Sequence, residues 1–277
     1  MSDSTAHSVN WHDMLIQTLS HLRKAWPTDW PGLPVVLTSC MRQLWPSSLP
    51  REHDTAALLN AALVMANRIE SIANTAAYEP HYHNRLHTAD ALVSVCCMLQ
   101  ALRNTGHHVP NEWAACLLLA VTSHDALHPG GANSYLQEFE QQSVQLLTHM
   151  SQDSGVSAHW VNIAAHLILH TDPTLVAANH DKVSQKPFVM NLDWAVVLMN
   201  EADILASATE EFGTLLGKAL ANEWQARDHP LHHVVGSDAG RLHFLSSLRF
   251  STPASETFHL PQSVSQQIKQ LRIQLGQ

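Results

Sequence analysis

Apolar residues recur along this chain at helical spacing and almost nowhere in strict alternation. Trp11, Leu15, Leu19 and Leu22 fall three or four apart and predict a helix over 11–25. A stretch rich in Pro and Trp, from Trp26 to Pro34, interrupts it, and a short helix near 35–45 follows before a second break at Pro46 to Pro50. Beyond that the period predicts helices over about 54–77, 82–104, 111–124, 135–151, 156–170, 189–226, 238–248 and 261–275. Trp113 to Val121 is apolar nearly all round, which requires burial on most sides. Alternating runs bounded by turn residues are scarce, so no sheet of any size is expected. The pattern therefore predicts an all-α fold: one compact multi-helix domain over 51–277, with residues 1–50 as a helical extension packed on it.

Composition narrows the function classes. Of 277 residues, 45% are apolar, enough for a substantial core, while only 14% are charged and the net charge is -9. That balance argues against nonspecific nucleic-acid binding, and it leaves an anionic substrate in need of a local positive centre such as a bound cation. The four cysteines, Cys40, Cys96, Cys97 and Cys116, show no CxxC spacing, and the adjacent pair suits a core helix. No apolar run reaches the roughly 18–20 residues of a membrane span. Met1 to His7 lacks a basic region followed by an apolar stretch, so no signal peptide is expected and the cytoplasm is the expected compartment.

Histidine is unusually frequent, at 21 residues, and a few of these sit where spacing carries meaning. His83, His87 and Asp90 are spaced i, i+4, i+7, on one face of the expected 82–104 helix; a solvated polar stripe would look the same. His124 and Asp125 emerge at the end of the most apolar helix, where unpaired burial costs several kcal/mol. They either cap one another or face a cation, which the carbonyl end of that helix favours. Asp203 shares a helical stripe with Met199, Val196 and Leu192, so it needs a partner; with only 15 Lys and Arg residues, a metal competes well with a salt bridge. Two imidazoles and two carboxylates suit zinc, manganese or iron. The second oxygen of Asp125 could bridge to another, water-rich cation, magnesium or manganese. Two such cations would bring a shared water to a pKa near about 7 and yield a hydroxide nucleophile.

The order Tyr82-His83-Asn84-x-x-His87-x-x-Asp90, then His124-Asp125-x-x-His128-Pro129-Gly130-x-x-Asn133, resembles the catalytic domain of class I cyclic-nucleotide phosphodiesterases, within the HD superfamily of metal-dependent phosphohydrolases. Glu201-Ala202-Asp203-Ile204 and Thr171-Asp172 extend the resemblance, which covers roughly 78–250. The resemblance implies that His87, His124, Asp125 and Asp203 ligate metal and that His83 is the general acid protonating the leaving oxygen. It further implies that Tyr82, His128 and Asn133 line the pocket and that Phe244 stacks on a purine. The implied substrate is a small phosphodiester, a nucleotide.

Departures from the family pattern bear on base recognition. Arg241 stands where the family's purine-binding glutamine falls, Ala206 replaces an asparagine, and Leu127 an aspartate. The span from Asn133 to Thr171 is shortened, with Ser143 to Leu147 as the remnant of a Leu-Glu-Asn-His-His motif. An arginine at 241 could take a second anionic group bidentately. Other HD chemistries compete: a nucleoside monophosphatase, a di-iron oxygenase, or a silent nucleotide-binding regulatory domain. His166 and His170 form another i, i+4 pair better read as packing. Trp26, Trp30 and Trp45 suit either a homodimer contact or ordinary packing.

Overall fold

In the computed structural model, residues 10–277 are described; the opening residues read for a signal peptide lie outside them. Asn10 starts the first helix, its side-chain oxygen accepting the N–H of Asp13 at 3.2 Å. The helices are α1 Trp11–Ala25, α2 Leu33–Leu44, α3 His53–Thr75, α4 Arg85–Asn104 and α5 Asn111–Ser123. Then come α6 Glu138–Ser151, α7 Ala158–Leu169, α8 Pro173–Val183, α9 Leu192–Ala208 and α10 Glu210–Gln225. The chain ends with α11 His232–Val235, α12 Asp238–Ser247, α13 Pro253–Thr257 and α14 Leu260–Gln274. The described residues contain no strand, so the expected all-α class holds.

Helix α5 is the axis of the core. Every residue from Ala114 to Ser123 is buried, as an all-round apolar sequence requires, and α3, α4 and α7 pack around it. Helix α4 is buried without a break from His87 to Leu99 because it is wedged among α1, α2, α5 and α9. Leu15 and Leu19 of α1 and Leu33, Leu37 and Met41 of α2 are part of the same apolar cluster. Arg23 of α1 reaches across to Asp90 of α4 with two parallel bonds of 2.8 and 2.6 Å. The three tryptophans are half-buried within the chain. Trp30 donates to Glu70 at 2.8 Å, Trp45 donates to Asn111 at 2.8 Å, and Trp26 meets Trp30 edge-on.

Three departures from the periodic reading have local causes. Helix α4 begins at Arg85 because Asn84 caps it, accepting the N–H groups of Leu86 and His87 at 2.9 and 3.1 Å. His83 therefore precedes the helix, and its placement near His87 owes nothing to an i, i+4 turn. The long stretch over 189–226 breaks at Thr209, whose hydroxyl accepts the N–H of Phe212 and starts α10. Helix α8 has a weak periodic pattern but a strong start, with Asp172 accepting from Thr174 and Pro173 at the first position. No described helix is long and apolar enough to cross a membrane.

Candidate active site

Three helices bring four side chains to one point. His87 lies in the first turn of α4, His124 and Asp125 follow the last turn of α5, and Asp203 is on α9. The Nε2 of His87 is 3.0 Å from Asp203 Oδ1 and 3.2 Å from Asp125 Oδ2. The Nε2 of His124 is 3.2 Å from Asp203 Oδ1 and 3.3 Å from Asp125 Oδ2, and the two Nε2 atoms are 3.4 Å apart. Ligand atoms bound at about 2.1 Å to one ion stand about 3.0 Å apart at a right angle and about 3.4 Å apart at the tetrahedral angle. The spacing of His87, His124 and Asp203 fits a single small cation, and Asp125 stands at ligand distance from both imidazoles.

The orientation of His124 is fixed from behind. Its Nδ1–H donates to the Val121 carbonyl at 2.7 Å, so Nε2 is the nitrogen left for the centre. Burial pulls both imidazoles down, but the hydrogen bonds and charges of Asp125 and Asp203 raise them overall, His87 to about 9. The two carboxylates are pulled the other way: burial raises them, yet the charge and hydrogen bonds of His124, with those of His87, hold both below their usual range. The point is built to hold positive charge. Asp125 and Asp203 keep 14% and 22% of their side-chain surface exposed against 2% for His124, so the centre opens on its carboxylate side.

A second constellation adjoins it. The Nδ1 of His83 donates to Glu223 Oε1 at 2.5 Å, and Glu223 is fully buried. Glu223 also accepts the backbone N–H groups of Tyr82, His83 and Gly131 at 2.8, 2.9 and 3.3 Å. Burial raises this carboxyl but His83 and the amides outweigh it, lowering it to about 2. The ring of His83 stacks on His128, centroids 3.7 Å apart. Burial and the charge of His83 lower His128 to about 3, so it is uncharged at neutral pH, and its Nδ1 accepts the N–H of Gly130. Tyr82 lies 4.8 Å from both His83 and His87 and shares a 2.9 Å hydrogen bond with Ser207 Oγ. Burial and the charge of Asp203 raise its hydroxyl, which stays protonated.

Other residues singled out by sequence sit differently. Asn133 donates to Glu140 at 2.9 Å and Asp172 at 3.3 Å and accepts from Phe139, tying the loop to the start of α6. Arg241 is turned inward. It donates to the carbonyls of Ser207 and Thr209 and to Gln267 Oε1 at 2.7 Å, so its donors meet the negative carbonyl end of α9 instead of an open pocket. Gly213 makes room for it: a Cβ there would fall 2.0 Å from the guanidinium. Phe244 packs against the apolar cluster of Ala208, Leu245 and Val264, with the Arg241 guanidinium 5.8 Å from its ring. Asp90 does not face the centre; Arg23 holds it. His166 and His170 pack on each other, and His170 Nδ1 meets Asn179 at 2.8 Å, joining α7 to α8.

Glu223 is the residue that sequence reasoning missed. Its signal was present: it shares a helical stripe with Phe212 and Leu216, both buried, which is the argument that singled out Asp203.

Residues 82–186 match the model of the family described as 3′5′-cyclic nucleotide phosphodiesterase. The phosphodiesterase domain of the RhoPDE fusion protein from the choanoflagellate Salpingoeca rosetta superposes with a TM-score of 0.64 at 13% identity, covering 87% of this chain and 90% of that one. LmjPDEB1, solved in complex with IBMX, superposes with a TM-score of 0.66 at 14% identity, covering 93% and 91%. At these identities the likeness speaks for the all-α fold. No curated protein matches the chain.

Proposed function

We propose, for a chain whose residues 82–186 match the model of the 3′5′-cyclic nucleotide phosphodiesterase family, that His87, His124, Asp125 and Asp203 hold a divalent cation while His83 protonates the leaving oxygen of a cyclic nucleotide or related phosphodiester. The observation that carries this reading is that both imidazoles stand 3.4 Å from each other and 3.0–3.3 Å from both Asp125 and Asp203, beside a histidine whose Nδ1 is committed to a buried carboxylate. The donor set suits zinc, manganese or iron, and the remaining oxygen of Asp125 suits a second, water-rich magnesium or manganese. When bound, such ions activate a water and offset phosphate charge.

The chain's own residues do the rest. Glu223 fixes the Nδ1–H of His83 and leaves Nε2 to face substrate and donate a proton as the P–O bond breaks; one water is consumed and a phosphomonoester leaves. His128, uncharged against the face of His83, holds that ring flat, and Tyr82 keeps a neutral donor beside it. Asn133 and Arg241 act on the pocket through the segments they tie down, and Phe244 offers an apolar surface for a base. With Arg241 spent on carbonyls, a second anionic group on the substrate has no partner there. Residues 51–277 make up the catalytic domain in this reading, with α1 and α2 as its extension. The four unpaired, buried cysteines suit a reducing cytoplasm.

The test is a panel of cyclic AMP, cyclic GMP and unrelated diesters with manganese, magnesium or zinc. We expect hydrolysis that His87→Ala and Asp125→Ala abolish together with bound metal. His83→Ala should keep its metal and turn over about 10²–10⁴-fold more slowly. Full activity in His83→Ala rejects the proton-donor role, and iron with an oxygen requirement rejects the hydrolase reading.

A further inference from the structure

We propose that Arg85 is a positioning residue for the proton donor, and that through Glu70 it makes the turn over 26–33, ahead of α2, a support of the active site. The inference rests on the reading of His83 as proton donor. Residues 76–84, which join α3 to α4 and carry Tyr82 and His83, form neither helix nor strand. Without a ladder of its own, the backbone of such a strap depends on side chains that reach it. Packing alone does not set its place. A cavity of about 180 Å³ is lined by Pro80 and His83 of the strap and by Ile69, Ile72 and Ala73 of α3, where apolar contact would otherwise hold it.

Polar ties hold it instead. At one end Glu223 accepts the N–H groups of Tyr82 and His83. At the other end the tie is Arg85, whose backbone N–H and Nε donate to Glu79 Oε1 at 2.9 and 3.0 Å. Its Nη2 donates to Glu79 Oε2 at 3.1 Å, completing a fork that closes the strap on the first residue of α4. Its Nη1 donates to Glu70 Oε2 at 2.6 Å and to Asn74 Oδ1 at 2.9 Å, both on α3. The other oxygen of Glu70 accepts the indole N–H of Trp30 at 2.8 Å and the backbone N–H of Leu33 at 2.7 Å. The guanidinium also lies 5.4 Å from the ring of Trp26 and is only 13% exposed. A guanidinium kept for solubility would leave its donors in water; this one joins the strap, α3 and the turn before α2. Loosening it lets the strap settle toward the cavity and carries His83 off its line to the leaving oxygen. A misplacement of about 1 Å costs on the order of 10²-fold in rate.

The experiment compares the whole protein with Arg85→Met and Glu70→Gln, melting curves confirming that each folds. In Glu70→Gln the carboxamide has one oxygen, so it can accept from Arg85 or from Trp30 and Leu33, not from both sides. On the cyclic nucleotide turned over best, kcat should fall about 10–10²-fold in Arg85→Met and about 3–10-fold in Glu70→Gln, with KM and bound metal near wild type. A nitrophenyl diester, whose phenolate leaves unprotonated, should be hydrolysed within about 2-fold of wild type. Amide hydrogen exchange over 78–84 should quicken at least about 10-fold in Arg85→Met, with α5 unchanged. A variant that had only lost stability would slow on both substrates and exchange faster throughout. Unchanged exchange over the strap, or equal loss on both substrates, overturns the positioning role, and wild-type kcat in Glu70→Gln overturns the part given to the turn over 26–33. His83→Ala separates this inference from the reading beneath it. Full turnover of the cyclic nucleotide in His83→Ala rejects that reading. Slowing confined to the cyclic nucleotide in His83→Ala but absent from Arg85→Met leaves that reading standing and rejects the role of Arg85.

Discussion

Replacing Glu223 by Gln changes one atom and reverses a hydrogen-bond polarity. The carboxylate accepts four N–H groups, from His83 Nδ1 at 2.5 Å and from the backbones of Tyr82, His83 and Gly131 at 2.8, 2.9 and 3.3 Å, with none of its side chain exposed. A carboxamide has one acceptor oxygen. Placing it on the two amides of Tyr82 and His83 turns the NH₂ toward His83 Nδ1 and the Gly131 N–H. His83 Nδ1 must then accept, the ring's remaining proton moves to Nε2, and the imidazolium loses its counter-charge. A neutral imidazole is a far weaker acid, so kcat on a cyclic nucleotide should fall by about 10²–10⁴, the range for a misprotonated general acid–base group. Leaving the Gly131 N–H unpaired costs a further 1–3 kcal/mol or so of stability. Bound metal should be unchanged, since Glu223 touches none of the four proposed ligands. The assay compares a cyclic nucleotide, whose alkoxide needs a proton to leave, with a nitrophenyl diester, whose phenolate does not. An equal loss on both substrates, or no loss on the cyclic nucleotide, refutes the assignment of His83 and Glu223 to proton delivery.

Further outcomes follow from other buried contacts. Arg23→Met leaves Asp90, 1% exposed, without its partner, and should destabilise the fold by about 3–5 kcal/mol in urea unfolding, most of it recovered by adding Asp90→Asn. A loss below about 1 kcal/mol would mean that the α1–α4 pair is not a stabilising tie. Gly213→Ala drives a methyl group into the Arg241 guanidinium and should cost about 1–3 kcal/mol, much less in an Arg241→Ala background; strict additivity would contradict the contact. His180, 3% exposed and paired with Ser251, is lowered from the ordinary 6.5 to about 4, by burial first and then by Arg249. Its neutral form is favoured in the folded state, so its contribution is complete above pH 6.5 and lost as pH falls toward 4. The wild type should lose about 2–3 kcal/mol over that window relative to His180→Leu, and parallel stability profiles would reject the assignment.

The helices were legible where burial is one-sided or total. Trp11, Leu15 and Leu19 recur every four residues because α1 rests one face on α4, and α1 spans the 11–25 that its period predicts. The apolar run of α5 could only be a core helix. Boundaries set by a single side chain were not legible from the period. Asn84 and Thr209 each end one reading and begin another by accepting a backbone N–H, and nothing in the spacing of apolar residues marks that. Helix α8 was missed for the opposite reason: its outward-facing residues blur the period, while the Asp172-Pro173 start that defines it lies in two letters.

The site divides along the same line. His124, Asp125 and Asp203 could be named because each is an ionisable group at the end or on the inner stripe of an apolar helix, where water cannot satisfy it, while His87 was named by its spacing from His83 and by the family motif. Those three are local anomalies, and the helices α4, α5 and α9 that position all four residues pack as neighbours. Partners chosen across the fold leave a fainter trace. Glu223 lies 140 residues from His83, and its stripe in α10 is short and mixed, so the same argument that found Asp203 had less to work on. Arg241 misled for a physical reason: a guanidinium suits an anionic substrate and a cluster of helix-end carbonyls equally well, and only the glycine at 213 decides between them. A missing Cβ twenty-eight residues away is what turned a candidate substrate contact into a clamp on α9. The chemistry of this chain is thus written locally, while the tuning of that chemistry is written in pairs that only the packed helices bring together.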